Sequence, residues 1–199
     1  ALQICKMIGA NPIAVIGGKD KAPLVQSLGA PMWIDRGDFP DLAYRPPETP
    51  ERARARAEDC KRFGKRIREL TGGKDVDIVF EHVGQQTFPT SIFVAKRFGK
   101  IVICGATTGF DLSFDVRHLW MRQKQILGSH FCNAYQAERA NQLVHEGKIR
   151  PVLDQVFPFV DTAKAHALMA ANQHKGKIGI AIQCAAATAG LPLAAEQAA

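Results

Sequence analysis

Cysteine is scarce in this sequence, and its distribution argues against a metal site. The five cysteines stand far apart, no two are spaced as CxxC, and the six histidines are likewise dispersed. Zinc sites in proteins usually place cysteines or histidines in pairs at short spacings. We therefore predict reduced thiols and no bound metal. The cysteines are Cys5, Cys60, Cys104, Cys132 and Cys184.

Long apolar runs are also lacking, which argues against a membrane protein. The longest ones, such as residues 101–104, end well before the roughly 18 apolar residues that a membrane helix requires. The opening residues, ALQICKMIGANPIAVIGG, do not combine a basic start with an apolar stretch and a cleavage site, as a signal peptide does. We expect a cytoplasmic protein without membrane attachment.

Acidic residues are fewer than basic ones, and the formal net charge is +7. The basic residues concentrate between Arg45 and Arg68, where acidic residues are mixed with them and aromatic residues do not alternate with them. This mixture predicts a solvated helix face, because a nucleic-acid platform needs aromatic side chains for base stacking. We expect no nucleic-acid partner. A small anionic ligand, such as a nucleotide or coenzyme, fits the charge better.

Short β-branched runs alternate with helical segments, which predicts an α/β fold. Alternation at this spacing is typical of a doubly wound parallel sheet. Residues 36–57 are polar and rich in proline, which predicts a surface insertion. Strands are predicted at 13–16, 32–34, 76–80, 100–104, 125–129 and 177–182, with helices at 1–9, 19–28, 51–70, 86–96, 135–145 and 162–171 and an extended segment at 151–158.

Two segments carry a family resemblance: KRFGKRIRELTGGKDVDIVFEHVG at 61–84 and LWMRQKQILGSHFCN at 119–133. Both resemble crotonyl-CoA carboxylase/reductases, which belong to the medium-chain dehydrogenase/reductase superfamily. The resemblance implies that residues 1–149 form a partial Rossmann domain whose sheet lacks its first strand and glycine-rich turn. It also implies that residues 150–184 are a returning segment of the GroES-like substrate domain, followed by a flexible tail at 185–199.

The resemblance implies reductive carboxylation of an enoyl-CoA thioester. NADPH would deliver hydride to the β-carbon of crotonyl-CoA and the enolate would take up carbon dioxide to give ethylmalonyl-CoA, so acyl-CoA and carbon dioxide are the expected partners. The missing turn normally holds the cofactor pyrophosphate, so this chain alone is expected to be inactive. The complete enzyme is expected to be a homo-oligomer. A non-carboxylating enoyl-thioester or quinone reductase, and a non-catalytic nucleotide-binding remnant, stay open as alternatives.

The segment after the strand at 13–16 predicts NADPH as the cofactor. A Rossmann domain that prefers NAD places an acidic residue there, against the ribose 2′-hydroxyl. Gly17 and Gly18 occupy that place here. The cations Lys19, Lys21 and Arg36 can surround a 2′-phosphate, although these charges are also compatible with an ordinary solvated helix start.

Two loops follow predicted strands at the edge where ligands bind to an open parallel sheet. Small residues in them would allow a cofactor to approach the backbone. For His82 and Glu81, a buried pair that shapes the loop and a direct cofactor contact are equally compatible with the sequence. The predicted cofactor-binding residues of these loops are His82, Gly84, Cys104, Gly105, Ala106 and Thr107, and Thr108 is a further candidate donor to the ribose or nicotinamide.

The predicted catalytic residue is His130, which stands just after a strand in the segment GSHF. An imidazole there can hold a water or polarise a carboxyl oxygen. By resemblance, His130 matches the histidine with which the family positions carbon dioxide; without the family, a structural role is the commoner one. Arg97, Arg117 and Lys124 are predicted to bind coenzyme A phosphates or to couple subunits.

Overall fold

The structure is a computed structural model that describes residues 1–171 and 173–182, so the predicted tail lies outside the described residues. The chain divides into two compact units between Ala134 and Tyr135. In chain order, the helices and strands are α1 (Leu2–Met7), β1 (Ile13–Ile16), α2 (Ala22–Ser27), β2 (Met32–Asp35), α3 (Pro50–Leu70), β3 (Val76–Glu81), α4 (Phe88–Val94), β4 (Ala95–Ile103), α5 (Arg117–Trp120), β5 (Gln125–Gly128), α6 (Ala134–His145), β6 (Leu153–Pro158), α7 (Thr162–Ala170) and β7 (Lys177–Ala181).

The first unit contains two parallel sheets. Strand β1 pairs with β2, and β3, β4 and β5 pair in that order. Among the residues that the structure describes, no ladder of hydrogen bonds joins β1 to β3. A complete doubly wound sheet has the strand order 3-2-1-4-5-6, so its first strand lies between its second and fourth strands. In this chain, β1 and β3 stand at the second and fourth positions. The break falls where the sequence predicts a missing strand, and the predicted α/β fold with parallel strands is confirmed.

Helix α3 packs its apolar stripe against both sheets of the first unit. Phe63 and Ile67 of this helix are buried with Ile34 of β2 and Val94 of α4, and Val79 of β3 packs against the same cluster. Phe39 joins them, with its ring 5.2 Å from that of Phe63 in an edge-to-face arrangement. Full burial of one such aromatic side chain stabilises the fold by about 2–3 kcal/mol.

The segment between β2 and α3, predicted as part of a surface insertion, is attached to α3 by polar contacts. The backbone N–H of Asp41 donates to the buried Asp59 carboxylate at 2.8 Å. Arg56 forms a two-pronged ion pair with Glu48, and this hydrogen bonding lowers the pKa of the Glu48 carboxyl. These contacts and the buried Phe39 hold the segment in place.

Several of the mixed charges of α3 form ion pairs. Its basic residues contact acidic neighbours on the same helix or on adjoining segments. The four pairs other than Arg56–Glu48 have exposed basic side chains, and surface pairs of this kind each contribute about 0–1 kcal/mol of stability. Besides Arg56–Glu48, they are Lys61–Glu58, Arg62–Asp59, Arg66–Glu69 and Arg68–Asp75.

The structure departs most from the sequence-based predictions at the junction of α4 and β4 and at α5. The helix predicted at 86–96 ends at Val94, because Ala95 already pairs with Val76 of β3 in the first step of β4. Phe98 then takes a left-handed backbone conformation with φ of 59°, which produces a turn within the strand. The short helix α5 was not predicted, since four residues carry too little periodicity to be recognised.

The second unit contains a separate parallel pair, β6 with β7, beside helix α7. Val156 and Phe157 of β6 and Ala165 of α7 are buried. The elements match the predicted extended segment, helix and strand. Assignment of this region to a substrate domain stays a prediction. No helix within 1–171 or 173–182 is long and apolar enough to span a lipid bilayer.

Candidate functional site

The carboxyl ends of β1 and β2 bring together two of the predicted cofactor residues. Gly17 follows β1 directly, and the guanidinium of Arg36, just after β2, lies over it. A Cβ atom at position 17 would stand only 3.0 Å from Nη2 of Arg36. Glycine therefore leaves the space that the guanidinium occupies. The site has a cation where a domain selective for NAD carries an acid.

Lys19 and Lys21 lie in a short 3₁₀ turn at the same edge. Nζ of Lys19 is 3.8 Å from the Asp38 carboxylate, and both side chains are largely exposed. An exposed pair at this distance is weak, so the ammonium group can exchange Asp38 for another anion. Asp35 takes no part in this pairing, because its buried carboxylate accepts the backbone N–H of Gly37.

The loops after β3 and β4 are joined to each other by hydrogen bonds. The hydroxyl of Thr108 donates to the Val83 carbonyl at 2.8 Å and accepts the backbone N–H of Gln86 at 3.1 Å. The backbone N–H of Thr108 donates to the same Val83 carbonyl, and that of Gln85 donates to Gly109. Thr108, a candidate donor to the ribose, thus connects the two loops. We call residues 82–87 and 104–109 the paired loops.

Glycine is required at position 84 by contact between the paired loops. Gly84 has φ of 90°, and an added Cβ would lie 2.7 Å from Cα of Ala106 and 2.8 Å from the carbonyl oxygen of Gly109. Both neighbours are backbone atoms and cannot move aside cheaply. The small residues at 84 and 106 thus serve the packing of loop on loop. Gly105 lies more loosely, with its Cβ position 3.3 Å from the His82 carbonyl oxygen.

Glu81, the last residue of β3, has a buried carboxylate that organises the first of the paired loops. Its Oε1 accepts the backbone N–H groups of Val83 at 2.8 Å and of Gly84 at 3.2 Å. The same oxygen accepts the hydroxyl of Thr87, and Oε2 accepts the hydroxyl of Ser91. Four donors from the loop and the start of α4 therefore converge on one carboxylate.

His82 is exposed, and its ring lies near that of Phe80, with 6.1 Å between the centroids. Of the two possibilities that the sequence left open, the loop-shaping role falls to Glu81. The partners of that carboxylate are loop amides and hydroxyls of α4. The imidazole of His82 faces outward, and a cofactor contact for it stays a prediction.

His130 lies two residues past the end of β5, at the same edge of the three-stranded sheet. The backbone N–H of Ser129 donates to the Ile103 carbonyl at 2.8 Å and thereby carries the pairing of β5 with β4 up to this point. The imidazole is exposed and stacks on Phe131, which has φ of 51°. Cys104 and Thr107 of the paired loops are exposed as well.

Of the predicted coenzyme A residues, Arg97 and Arg117 are exposed. Arg97 stands near the start of β4, remote along that strand from the paired loops, with its guanidinium 5.5 Å from the ring centroid of Phe98. Arg117 holds Asp115 through a two-pronged ion pair with 2.7 Å between Nη2 and Oδ2. This hydrogen bonding lowers the pKa of the Asp115 carboxyl to about 2.

Lys124 differs from these arginines because its side chain is buried. Nζ donates to the carbonyl oxygens of Ile92 and Phe93, at the carboxyl end of α4. A cation is favoured there by the helix dipole. Burial, reinforced by nearby Arg122, lowers the pKa of Lys124 to about 8. The ammonium group is thus engaged inside the first unit, and the structure shows it stabilising α4.

Sequence reasoning missed several residues that shape the site. Asp38, Thr87 and Ser91 were not singled out, and each contacts a group that was. The segment FEHVGQQTFPTS contains a signal for Thr87 and Ser91, because hydroxyl residues near the start of a helix can lie close to the end of the preceding strand. Within the described ranges, no group of three or more His, Cys, Asp or Glu residues could hold a metal ion.

Known proteins resemble this chain in sequence and in structure. Crotonyl-CoA carboxylase/reductase from Cereibacter sphaeroides is 43% identical over 185 residues, which cover 92% of this chain and 43% of that protein. Crotonyl-CoA reductase from Streptomyces avermitilis is 43% identical over 180 residues, covering 90% of this chain and 39% of that protein. The predicted resemblance is confirmed, and the chain spans less than half the length of these relatives.

A solved structure of 2-octenoyl-CoA carboxylase reductase CinF, in complex with NADP and 2-octenoyl-CoA, superimposes with a TM-score of 0.80. It is 33% identical, and the match covers 90% of this chain and 39% of that one. The family model for zinc-binding dehydrogenases matches residues 1–146. That range is well over half of the chain, and the chain therefore belongs to the zinc-binding dehydrogenase family.

Proposed function

We propose that this chain is the cofactor-binding part of an NADPH-dependent enoyl-CoA reductase that couples hydride transfer to carboxylation. The observation that carries the proposal is the guanidinium of Arg36 over Gly17, at the edge where the family binds its nucleotide. An arginine at this place complements the 2′-phosphate that distinguishes NADPH from NADH. Similarity to carboxylase/reductases over 90% or more of this chain supports the same function.

The described residues fit a nicotinamide cofactor, and their His, Cys, Asp and Glu side chains do not form a zinc-ligand cluster. Lys19 and Arg36 offer cations beside Gly17 at the ends of β1 and β2, and the paired loops lie at the ends of β3 and β4. The family is named for zinc binding, but the described part of the chain contains no group of three or more His, Cys, Asp or Glu residues that could hold a zinc ion. No step of the proposal uses a metal.

NADPH, when bound, supplies the hydride that reduces the β-carbon of the enoyl thioester. The α-carbon then carries the electron pair of an enolate, which forms a new bond to the carbon of carbon dioxide and yields a carboxylate. This chain's share is to orient the cofactor and to keep water from the enolate, which a proton would otherwise quench. Carboxylation and plain reduction therefore diverge only after hydride transfer.

His130 is the residue that we place at this divergence. It is exposed just past β5, where a side chain can reach a substrate above the sheet edge. We propose that its imidazole holds carbon dioxide over the α-carbon, directly or through one water. A hydrogen bond to this uncharged gas contributes about 1–2 kcal/mol, equivalent to a roughly fivefold to thirtyfold change in affinity.

The test is the product ratio of His130→Asn in the full-length protein that contains this chain, at limiting bicarbonate. We expect hydride transfer to survive, carboxylated product to fall, and saturated acyl-CoA to rise. An unchanged ratio would remove His130 from the carboxylation step. A parallel loss of both products with a lower melting temperature would assign it a structural role instead.

A reductase without carboxylation is the second candidate, and one observation favours it. The Streptomyces avermitilis relative, known as crotonyl-CoA reductase, is 43% identical, the same value as for the carboxylase/reductase of Cereibacter sphaeroides. The wild-type product separates the candidates, because a plain reductase gives saturated acyl-CoA even at saturating bicarbonate. A nucleotide-binding remnant would consume no NADPH with any enoyl-CoA.

We propose that residues 1–199 by themselves bind NADPH weakly and show no turnover with crotonyl-CoA. Strands β1 and β3 each have one unpaired edge among the described residues, and Val15, Ile78 and Phe80 are exposed apolar side chains of these strands. Exposed strands of this kind favour association of copies. Calorimetry with NADPH tests the proposal, and a dissociation constant of about 1 µM would contradict it.

A further inference from the structure

Glu81 is the most thoroughly hydrogen-bonded carboxylate among the described residues near the paired loops. Its side chain is only 3% exposed and accepts two backbone N–H groups and two hydroxyls. The donors come from both sides of a bend: Val83 and Gly84 in the loop, Thr87 and Ser91 at the start of α4. A carboxylate is the only side-chain group that accepts four such donors without donating itself.

These hydrogen bonds determine the backbone path of the loop. Gly84 reaches φ of 90° while its N–H points at Oε1 of Glu81, and this path brings it against Ala106 and Gly109. The carbonyl of Val83 then faces Thr108, which accepts and donates across the gap between the loops. The position of the second loop therefore depends on the first, and both depend on the carboxylate.

We infer that Glu81 is a positioning residue for the cofactor: its carboxylate fixes the loop after β3 and, through Thr108, the loop after β4. The inference rests on the proposed function, because His82, Gly84, Cys104, Gly105, Ala106 and Thr107 are the proposed cofactor contacts. Glu81 is itself buried, and both of its carboxylate oxygens are occupied by donors of the loop and of α4. Its effect reaches the cofactor through loop geometry, so its loss should weaken cofactor binding more than it slows hydride transfer.

The chain offers a matched control in Asp59 of α3. This carboxylate is 4% exposed, and it accepts the backbone N–H of Asp41 and the side chain of Arg62. It is buried and hydrogen-bonded like Glu81, yet its partners lie in α3 and in the segment between β2 and α3, outside the paired loops. A purely structural role for Glu81 predicts that Glu81→Gln and Asp59→Asn behave alike.

The experiment compares Glu81→Gln and Asp59→Asn in the full-length protein that contains this chain. An amide keeps the shape but turns one acceptor into a donor that faces other donors. We expect Glu81→Gln to raise the KM for NADPH about tenfold, with kcat and the KM for acyl-CoA changed less than about twofold. Asp59→Asn should leave the KM for NADPH within about twofold at a comparable loss of melting temperature. Equal KM values for NADPH in the two variants would overturn the inference.

Two further measurements keep the inference testable if Glu81→Gln folds poorly or the protein binds no NADPH. Ser91→Ala removes one donor to Oε2 and should raise the KM for NADPH by about two- to fivefold. Hydrogen exchange needs no cofactor: protection of the Val83 and Gly84 amides should fall at least about tenfold in either Glu81→Gln or Ser91→Ala, relative to β1 amides. Absence of NADPH binding in the wild type would sink the proposed function alone, whereas unchanged exchange in both variants would sink the role of Glu81.

Discussion

The two halves of the proposed cofactor site are built in opposite ways. At the ends of β1 and β2, charged side chains are exposed and held by weak contacts, such as Lys19 with Asp38 at 3.8 Å. At the ends of β3 and β4, the paired loops are fixed by Glu81 and Thr108, and a glycine is packed directly on backbone. One half consists of exposed charges in weak contacts, whereas the other is a hydrogen-bonded, closely packed surface.

The proposed function offers a physical reason for this difference. A phosphate dianion is attracted by charges over several ångströms and tolerates small displacements of flexible cations. A hydride donor must stand at a defined distance and angle from its acceptor, so the surface that orients it has to be set before binding. We therefore expect substitutions in the paired loops to affect stability, and substitutions beside Gly17 to affect cofactor choice.

The largest effect should come from Gly84→Ala. The added Cβ would overlap backbone atoms of Ala106 and Gly109, and φ of 90° disfavours any side chain. We expect a loss of about 3 kcal/mol in the free energy of unfolding, measured by urea denaturation. Gly72→Ala is the matched control, since Gly72 has φ of 67° but nothing within 4 Å of the Cβ position.

The control should lose only about 1 kcal/mol, the contribution of the backbone conformation alone. Equal losses in the two variants would mean that the paired loops yield to the added methyl group. The contrast between the closely packed ends of β3 and β4 and the loosely held charges at the ends of β1 and β2 would then be wrong.

Arg36→Met should change cofactor choice with little effect on stability. Removing the guanidinium from beside Gly17 takes away a charged contact to the 2′-phosphate while an apolar side chain of similar length remains. In the full-length protein we expect the ratio of kcat/KM for NADPH to that for NADH to fall about tenfold. Arg54→Met on α3, which removes an exposed charge elsewhere, should leave the ratio unchanged. A similar fall in both variants would indicate general electrostatic attraction.

The smallest expected effect is the pH dependence of the stability that Lys124 contributes beneath α4. Because burial lowers its folded-state pKa from 10.5 to about 8, the unfolded chain binds more protons between these values. The contribution of Lys124 to stability should therefore rise from pH 8 to pH 10.5. The measurement is the unfolding free energy of wild type minus that of Lys124→Met across this range.

Taking the difference removes groups that titrate in both proteins. Cys60 is one of them, since burial raises the pKa of its thiol and its contribution falls as pH rises. A difference that stays flat with pH would show that Nζ of Lys124 is as well solvated in the folded protein as in the unfolded chain.

Much of the fold follows from local patterns in the sequence. Strand β1 was predicted with its observed bounds, because four β-branched or small apolar residues lie between Pro12 and Gly17. Helix α3 was predicted within one residue, since the glycines at 72 and 73 mark its end. The start of β4 was not predicted, because its pairing with Val76 is a contact between distant residues that no local pattern records.

The sequence by itself determined the alternation of strands and helices, the absence of an acid after β1, and the family, because periodicity, charge and motifs are properties of neighbouring residues. Only the tertiary structure decided which candidates share a surface. The guanidinium of Arg36 lies over Gly17, Gly84 packs directly against the second of the paired loops, and Lys124 is buried beneath α4. These outcomes depend on contacts between residues far apart in the chain, which arise only when the strands align their carboxyl ends at one edge.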